Sequence, residues 1–330
     1  MSKKTAIIVV ALLLVVILLA IIRTVPQETT LPSVKRTQIA LGTFVEIEVR
    51  NLDQQAADSA INAAFAEVLR IHDEFSPFNE EGPLWRINHS EQLTIPITAE
   101  LHHLLQVCDT INTVTERAFD PSVEALISLW KIWGEHPVIP AAEEIGQALA
   151  VCGWNKIQFA DDLILKRDTG VMLSFGAVAK GYAVDRAVEI LAEQGVRQAL
   201  VNAGGEIRTL GDGWVVGIQH PSISQELLIS ITLADNSVAT SGDYEQFHEE
   251  KGKRYHHILN PVTGYPATGS HSVTVVAPTC IKADAYATGV FVLGPEKGMA
   301  LVNRLPDLEA MMVDSAGTVH YSTGFEELLQ

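Results

Sequence analysis

Residues 173–211, LSFGAVAKGYAVDRAVEILAEQGVRQALVNAGGEIRTLG, read as strand, tight turn, helix, strand and glycine turn, and the rest of the chain is organised around this unit. Val184, Ala187, Val188 and Leu191 recur at helical spacing, with Asp185, Arg186, Glu189 and Glu193 opposite them, which predicts an amphipathic helix after Ala179. Gly195 closes it in a conformation that suits glycine, and the apolar run 199–201 leads into Asn202-Ala203-Gly204-Gly205. In front of the helix, Gly176, Ala177 and Ala179 leave the backbone bare and Lys180 follows. By itself that pattern reads as close helix-to-strand packing; an anion site at a helix start is the alternative. It matches neither a Walker loop nor the dinucleotide fingerprint.

Outward from this unit, helices and strands alternate irregularly. Residues 43–49 alternate Phe44, Glu46 and Glu48 against Val45, Ile47 and Val49, as a half-buried strand does. Residues 56–75 then carry Ala60, Ala64, Val68, Ile71 and Phe75 on one helical face, ended by Ser76-Pro77. The stretch FSPFNEEGPLWRIN reads as a loop pinned by its aromatics or a lid on an aromatic ligand. Residues 99–115 predict another helix, and Asp120-Pro121 starts one carrying Leu126, Leu129, Trp130 and Trp133. Further on come strands at 214–219, 227–233, 254–259 and 272–277, a helix at 282–293, an edge strand at 308–313 and a helical tail. The class is α+β.

The chain has 330 residues and a formal charge of -17, which argues against nucleic acid as a partner and leaves any phosphate-bearing ligand in need of a local cation. After Lys3 and Lys4, residues 6–22 form an unbroken apolar run. As a helix it would be about 26 Å long, close to bilayer thickness. We read residues 1–5 as a cytoplasmic amino end, 6–22 as a transmembrane anchor or uncleaved signal, 23–36 as a Pro-bearing tether, and 37–330 as the functional domain. No cysteine precedes Cys108, so no lipid-bearing cysteine is expected near the amino end. Cys108, Cys152 and Cys280 are too scattered for a disulfide framework or a zinc site.

In the strand 254–259, Tyr255, His257 and Leu259 share one face and His256 and Ile258 the other. His257 is a structural or a catalytic residue on this pattern. Asp284 and Thr288 lie four apart and present hard oxygens to one point, which suits Mg²⁺ or Ca²⁺; alternatively Asp284 complements the helix start.

Taken in order, AFDP at Ala118, GAVAKGYAVD at Gly176, VNAGGEIRTLG at Val201, ATSGDYE at Ala239, HHILNPVTGYP at His256 and ADAYATG at Ala283 resemble the ApbE flavin transferase family. The resemblance covers roughly residues 37–327. It implies a two-lobed α+β body behind a single membrane helix, at the bacterial inner membrane and facing the periplasm or outside. The implied reaction splits FAD at its pyrophosphate and attaches FMN by a phosphoester to a Ser or Thr of a redox subunit, releasing AMP. It implies Mg²⁺ held by Asp284, Thr288 and the carbonyl of Ala177, charge from Lys180, and His257 as the catalytic histidine with Asp284. The implied flavin contacts are Leu41, Phe78, Ala118, Phe119, Asp120, Ser174, Lys180 and Leu259. Ser174 stands where members commonly have Asp, Phe78 where many have Tyr, and Ala287 where some have an acid. An FAD pyrophosphatase and a tethered flavin-binding protein are the alternative readings.

Overall fold

The first strand comes earlier than the sequence pattern suggests. The computed structural model describes residues 32–330, apart from residues 133, 135, 136 and 224. The anchor 6–22, the segment before it, most of the tether, and Trp133 lie outside the described residues. Strand β1 (Val34–Ala40) begins inside the stretch read as tether and pairs with β2 (Thr43–Val49). Only Val34 and Ala40 of β1 are buried, so it carries no apolar alternation to read. Leu41 and Gly42, both at positive φ (54° and 73°), make the two-residue turn that matches hairpin twist. Among the described residues no helix is long and apolar enough to cross a membrane.

Helix α1 (Gln54–Phe75) starts at Asp53, whose carboxylate accepts from the amides of Gln55 and Ala56 at 3.0 Å. Its Ile61, Phe65 and Val68 pack with Val45, Ile47, Val184 and Leu191, each large side chain adding about 1.5–3 kcal/mol of burial. The aromatic stretch read as a loop contains a short helix, α2 (Pro83–His89). Next come β3 (Thr94–Pro96), α3 (Ala99–Val114), α4 (Glu124–Trp130), α5 (Ala142–Val151), β4 (Ile157–Ala160) and β5 (Leu163–Lys166). Strands β3, β5 and β4 form a small sheet of their own.

The central stretch gives α6 (Ala179–Glu193), β6 (Ala199–Ala203) and β7 (Glu206–Leu210). The strand expected before the turn does not form. Asn88 replaces it, its side chain accepting from the Leu173 amide at 2.7 Å and donating to the Leu173 carbonyl at 2.8 Å. Then follow β8 (Trp214–Gln219), β9 (Leu227–Leu233), β10 (Ser237–Gly242), β11 (Phe247–Glu250), β12 (Lys253–His256), β13 (Ser270–Ala277), α7 (Cys280–Val302), β14 (Glu309–Asp314) and β15 (Val319–Tyr321). Strand β12 ends at His256, so His257 lies just past it rather than inside a strand to 259. Helix α7 runs beyond Leu293 through a kink, because Gly294 (φ 76°) and Pro295 interrupt its ladder without ending it. Strand β14 is not an edge; β15 covers it, and the tail is a single 3₁₀ turn, Phe325–Leu328.

The main sheet has eight strands in the order β1-β2-β6-β7-β10-β13-β14-β15, and every pairing in it is antiparallel. Its helices α6 and α7 touch at their starts. A Cβ on Gly181 would lie 2.4 Å from the Cys280 carbonyl oxygen, so only glycine allows this approach. Asp185, expected on the solvent side of α6, is buried instead, and its carboxylate accepts from the first amides of α7, Cys280 at 2.8 Å and Ile281 at 2.9 Å. Gly181→Ala is expected to cost ~1–3 kcal/mol by overpacking and to weaken ligand binding at the same junction; chemical denaturation checks the first and isothermal titration the second.

Candidate active site

Four segments meet where α6 and α7 begin. From α7, Asp284 is 4% exposed, and its Oδ2 accepts from the Gly181 amide at 3.0 Å. One turn further along α7, Thr288 Oγ1 lies 3.3 Å from Ser241 Oγ at the end of β10. From α6, the Lys180 ammonium forms an ion pair with Glu206, the first residue of β7 after the Gly204–Gly205 turn. Gly204 (φ 73°) is required there, since a Cβ would lie 2.5 Å from Thr43 Oγ1. Glu206 is buried, and its Oε2 has no hydrogen-bond partner among the described residues.

The electrostatics show a site short of positive charge. Burial, then Glu206 and Glu245, push the Asp284 carboxyl up to about 7 against the pull of Lys180 and the Gly181 amide. Burial, with Glu206 adding, also pushes Glu245 up to about 7, although Lys180 opposes it. The side chain of Glu245 is open to solvent yet walled by protein, as a group lining a cleft is. Burial acts to lower the Lys180 pKa, but Glu206 and Asp284 outweigh it and hold the ammonium above its ordinary value.

His257 enters from the β11–β12 hairpin. Its amide donates to the Gln246 carbonyl at 3.0 Å, and its Nδ1 lies 3.3 Å from the same oxygen. Burial foremost, with His256 and Lys180 adding, lowers its pKa to about 4, which leaves the imidazole neutral at neutral pH. Lys180 thus interacts electrostatically with both Asp284 and His257, Thr288 lies one turn beyond Asp284, and half-buried Ala177 stands two residues before α6.

The expected flavin contacts are placed differently. Phe78, 86% exposed, lines a cavity of about 360 Å³ with Trp85, Asn88, His89, Glu124 and Met172. Trp85 and His89 stack there at 4.1 Å between ring centres. Ser174 adjoins this cavity through Glu124, to which it hydrogen-bonds, while neither Lys180 nor His257 lines it. Leu41 sits at the β1–β2 turn, half-buried against the core. Ala118, Phe119 and Leu259 are buried. Ala118 and Phe119 end the turn that packs on Gly289, one residue past Thr288, where an added Cβ would meet Thr115 Cγ2 at 2.8 Å and Phe119 Cβ at 3.3 Å. Asp120 is committed within the protein: Oδ1 accepts from the Ser122 amide at 2.8 Å and Oδ2 from the Trp154 amide at 3.1 Å. Its carboxylate holds a loop.

Sequence reasoning missed Glu206, Ser241 and Glu245. All three lie inside quoted motifs, and an acid or hydroxyl between glycine turns and apolar strand residues was the available signal. A divalent cation fits what is present. The orphaned Glu206 oxygen, the raised carboxyls and the hard hydroxyl of Thr288 call for positive charge. Among the described residues no three His, Cys, Asp or Glu side chains form a cation-holding group, so such an ion would rely on Asp284 with hydroxyl and main-chain oxygens.

The sequence model of the ApbE family matches residues 41–312. The chain belongs to the ApbE family. A relative from Klebsiella pneumoniae (strain 342), named FAD:protein FMN transferase, is 32% identical over 262 residues, 78% of this chain and 83% of its own length. One of the same name from Treponema pallidum (strain Nichols) is 31% identical over 316 residues, 88% of this chain and 86% of its own. Among solved structures, the ApbE protein of Thermotoga maritima superposes with a TM-score of 0.84 at 32% identity, covering 91% of this chain and 100% of its own. The flavin transferase ApbE of Vibrio cholerae does so at 0.80 and 28%, covering 90% and 99%. The ApbE match spans all of the segments that meet at α6 and α7.

Proposed function

We propose that this ApbE-family chain is a Mg²⁺-dependent FAD:protein FMN transferase that joins FMN to a Ser or Thr of a redox subunit and releases AMP. The observation that supports the reading is the α6–α7 junction, where Asp284 accepts from the Gly181 amide and Lys180 interacts electrostatically with both Asp284 and neutral His257. The shared name of the relatives supports it. FAD is the substrate. In this reading its isoalloxazine takes the aromatic cavity beside Phe78.

In this reading Asp284, Thr288 and the Ala177 carbonyl hold Mg²⁺, which when bound neutralises the pyrophosphate oxygens. Lys180, kept charged by Glu206, adds a fixed ammonium beside the bridging phosphates. The acceptor hydroxyl attacks the phosphorus of the FMN half, the bond from that phosphorus to the bridging oxygen breaks, and AMP leaves with that oxygen. His257 takes the hydroxyl proton; its depressed pKa makes it a proton acceptor rather than a cationic contact. The acceptor lies outside the cytoplasm or in the membrane. The apolar run 6–22 tethers the chain to the bacterial inner membrane with the body outside. No nucleic acid takes part.

Mass spectrometry tests the reading on the body incubated with FAD, Mg²⁺ and a redox subunit carrying an accessible Ser or Thr. A gain of FMN on the subunit with matching AMP supports it. Free FMN and AMP with an unmodified subunit indicate hydrolysis instead, and unchanged FAD a binding protein.

Metal binding is expected to depend on pH. The folded pKa of Asp284 is raised, so its contribution to metal-free stability is present in full below the unfolded value and is lost as pH rises through about 7. Mg²⁺ must displace that proton below pH 7, and its apparent affinity falls roughly tenfold per unit there for each proton released. Thermal unfolding with and without Mg²⁺ is expected to show a larger stabilisation at pH 8 than at pH 6.

A further inference from the structure

The hairpin that carries His257 is not part of the main sheet. Among the described residues, strands β11 and β12 pair only with each other, so side chains must fix their position. Successive side chains of β12 divide the work. Tyr255 packs toward Trp130 at 5.7 Å between ring centres, whereas Arg254 and His256, two apart, turn toward the body. His256 is buried, with Nε2 2.9 Å from the Ala267 carbonyl and Nδ1 accepting from the Ile258 amide at 3.3 Å.

Arg254 has the more telling partner. Its guanidinium lies over the Phe247 ring at 4.4 Å and donates to Asp243 Oδ1 at 2.9 Å. The other oxygen of Asp243 lies 2.8 Å from His271 Nδ1, and the Asp243 amide donates to the His271 carbonyl at 3.0 Å. Asp243 is buried and directly follows the last residue of β10. His271 sits at the irregularity between Ser270 and Ser272 in the β13–β14 pairing. A bulge of that kind re-aims a side chain, and here the imidazole meets the carboxylate. One buried acid therefore joins the main sheet, at two of its strands, to the hairpin three residues before His257.

We propose that Asp243 is the positioning residue for His257, holding the β11–β12 hairpin in register with the α6–α7 junction through Arg254 on one oxygen and His271 on the other. The proposal rests on the reading of His257 as the group that meets the acceptor hydroxyl. Asp243 touches no reacting atom. Its loss lets the histidine drift, and a displacement of about 1 Å costs on the order of 100-fold in rate.

Two readouts test it on the folded protein. Hydrogen exchange followed by mass spectrometry measures hairpin order without reference to activity. In Asp243→Ala, peptides covering residues 245–257 are expected to exchange about tenfold faster, with α1 unchanged. FMN transfer by the same variant is expected to fall roughly 10- to 100-fold in kcat, with the KM and Kd for FAD within about twofold. Asp243→Asn keeps an oxygen for Arg254 and is expected to fall between, which maintains the test if the alanine variant does not fold. Unaltered exchange overturns the proposal, as does unaltered kcat. A parallel loss of kcat, FAD affinity and thermal stability also overturns it, because that pattern belongs to general unfolding. Wild type and His257→Ala run alongside. An inactive wild type sinks the transferase reading, and the exchange comparison then decides alone whether Asp243 anchors the hairpin.

Discussion

Replacing Asp284 with alanine is expected to lower FMN transfer by ~10³-fold or more, because it removes the α7 carboxylate that faces the Gly181 amide and the charged lysine. Metal-assisted charge stabilisation is worth several kcal/mol, and each ~1.4 kcal/mol is tenfold in rate. The variant should keep its fold. Its carboxyl is already pushed up to about 7 by burial, Glu206 and Glu245, so in the metal-free protein its removal relieves a strained acid. Single-turnover release of AMP measures the loss, and the dependence of thermal stability on Mg²⁺ is expected to disappear with it. Full transfer activity in this variant would sink the metal reading.

Asp185→Ala acts on stability. Asp185 accepts from Arg208 at 2.7 Å as well as from the Cys280 and Ile281 amides. Thr279, at the start of α7, offers no side-chain cap, so the cap comes from another helix. Alanine leaves two helix-start amides and a largely buried guanidinium without their acceptor. Breaking one side of a buried ion pair costs ~3–5 kcal/mol, and lost capping adds about 1 kcal/mol. The denaturation midpoint is expected to drop accordingly, with transfer activity lost in proportion to the unfolded fraction. Asp185→Asn, which still accepts from an amide, is expected to recover part of the loss. Unaltered stability in the alanine variant would mean that the cap contributes nothing.

The contrast between these two acids shows what was legible in the sequence. The α6–β6–β7 unit was readable because its apolar periodicity is local. The family was readable because Asp284, Thr288 and His257 sit in motifs whose order is itself informative. Asp185 was misread, since helical periodicity assigns charged residues to solvent, and the amides that bury it come from 95 residues away. Strand β1 escaped notice for the opposite reason: as an edge strand it buries only its ends and has no pattern to show. Asp120 was visible as an acid before a proline, whereas its contacts with the amides of Ser122 and Trp154 depend on the folded loop. Glu206 looked like any polar residue opening a strand until β7 was seen to begin beside Lys180.

The close approach of α6 and α7 at Gly181 has a further consequence. Gly181 and Asp284 stand 103 residues apart in the chain, so neither end of the molecule holds a usable half of the cradle. On the proposed metal reading, a polypeptide that stops short of α7 would have nothing with which to retain the ion. Occupancy then becomes a report of completion: only a finished and assembled chain is rewarded by binding, and a ligand that selects the assembled form bolts it shut by mass action. The part that does the chemistry would double as the part that certifies the build.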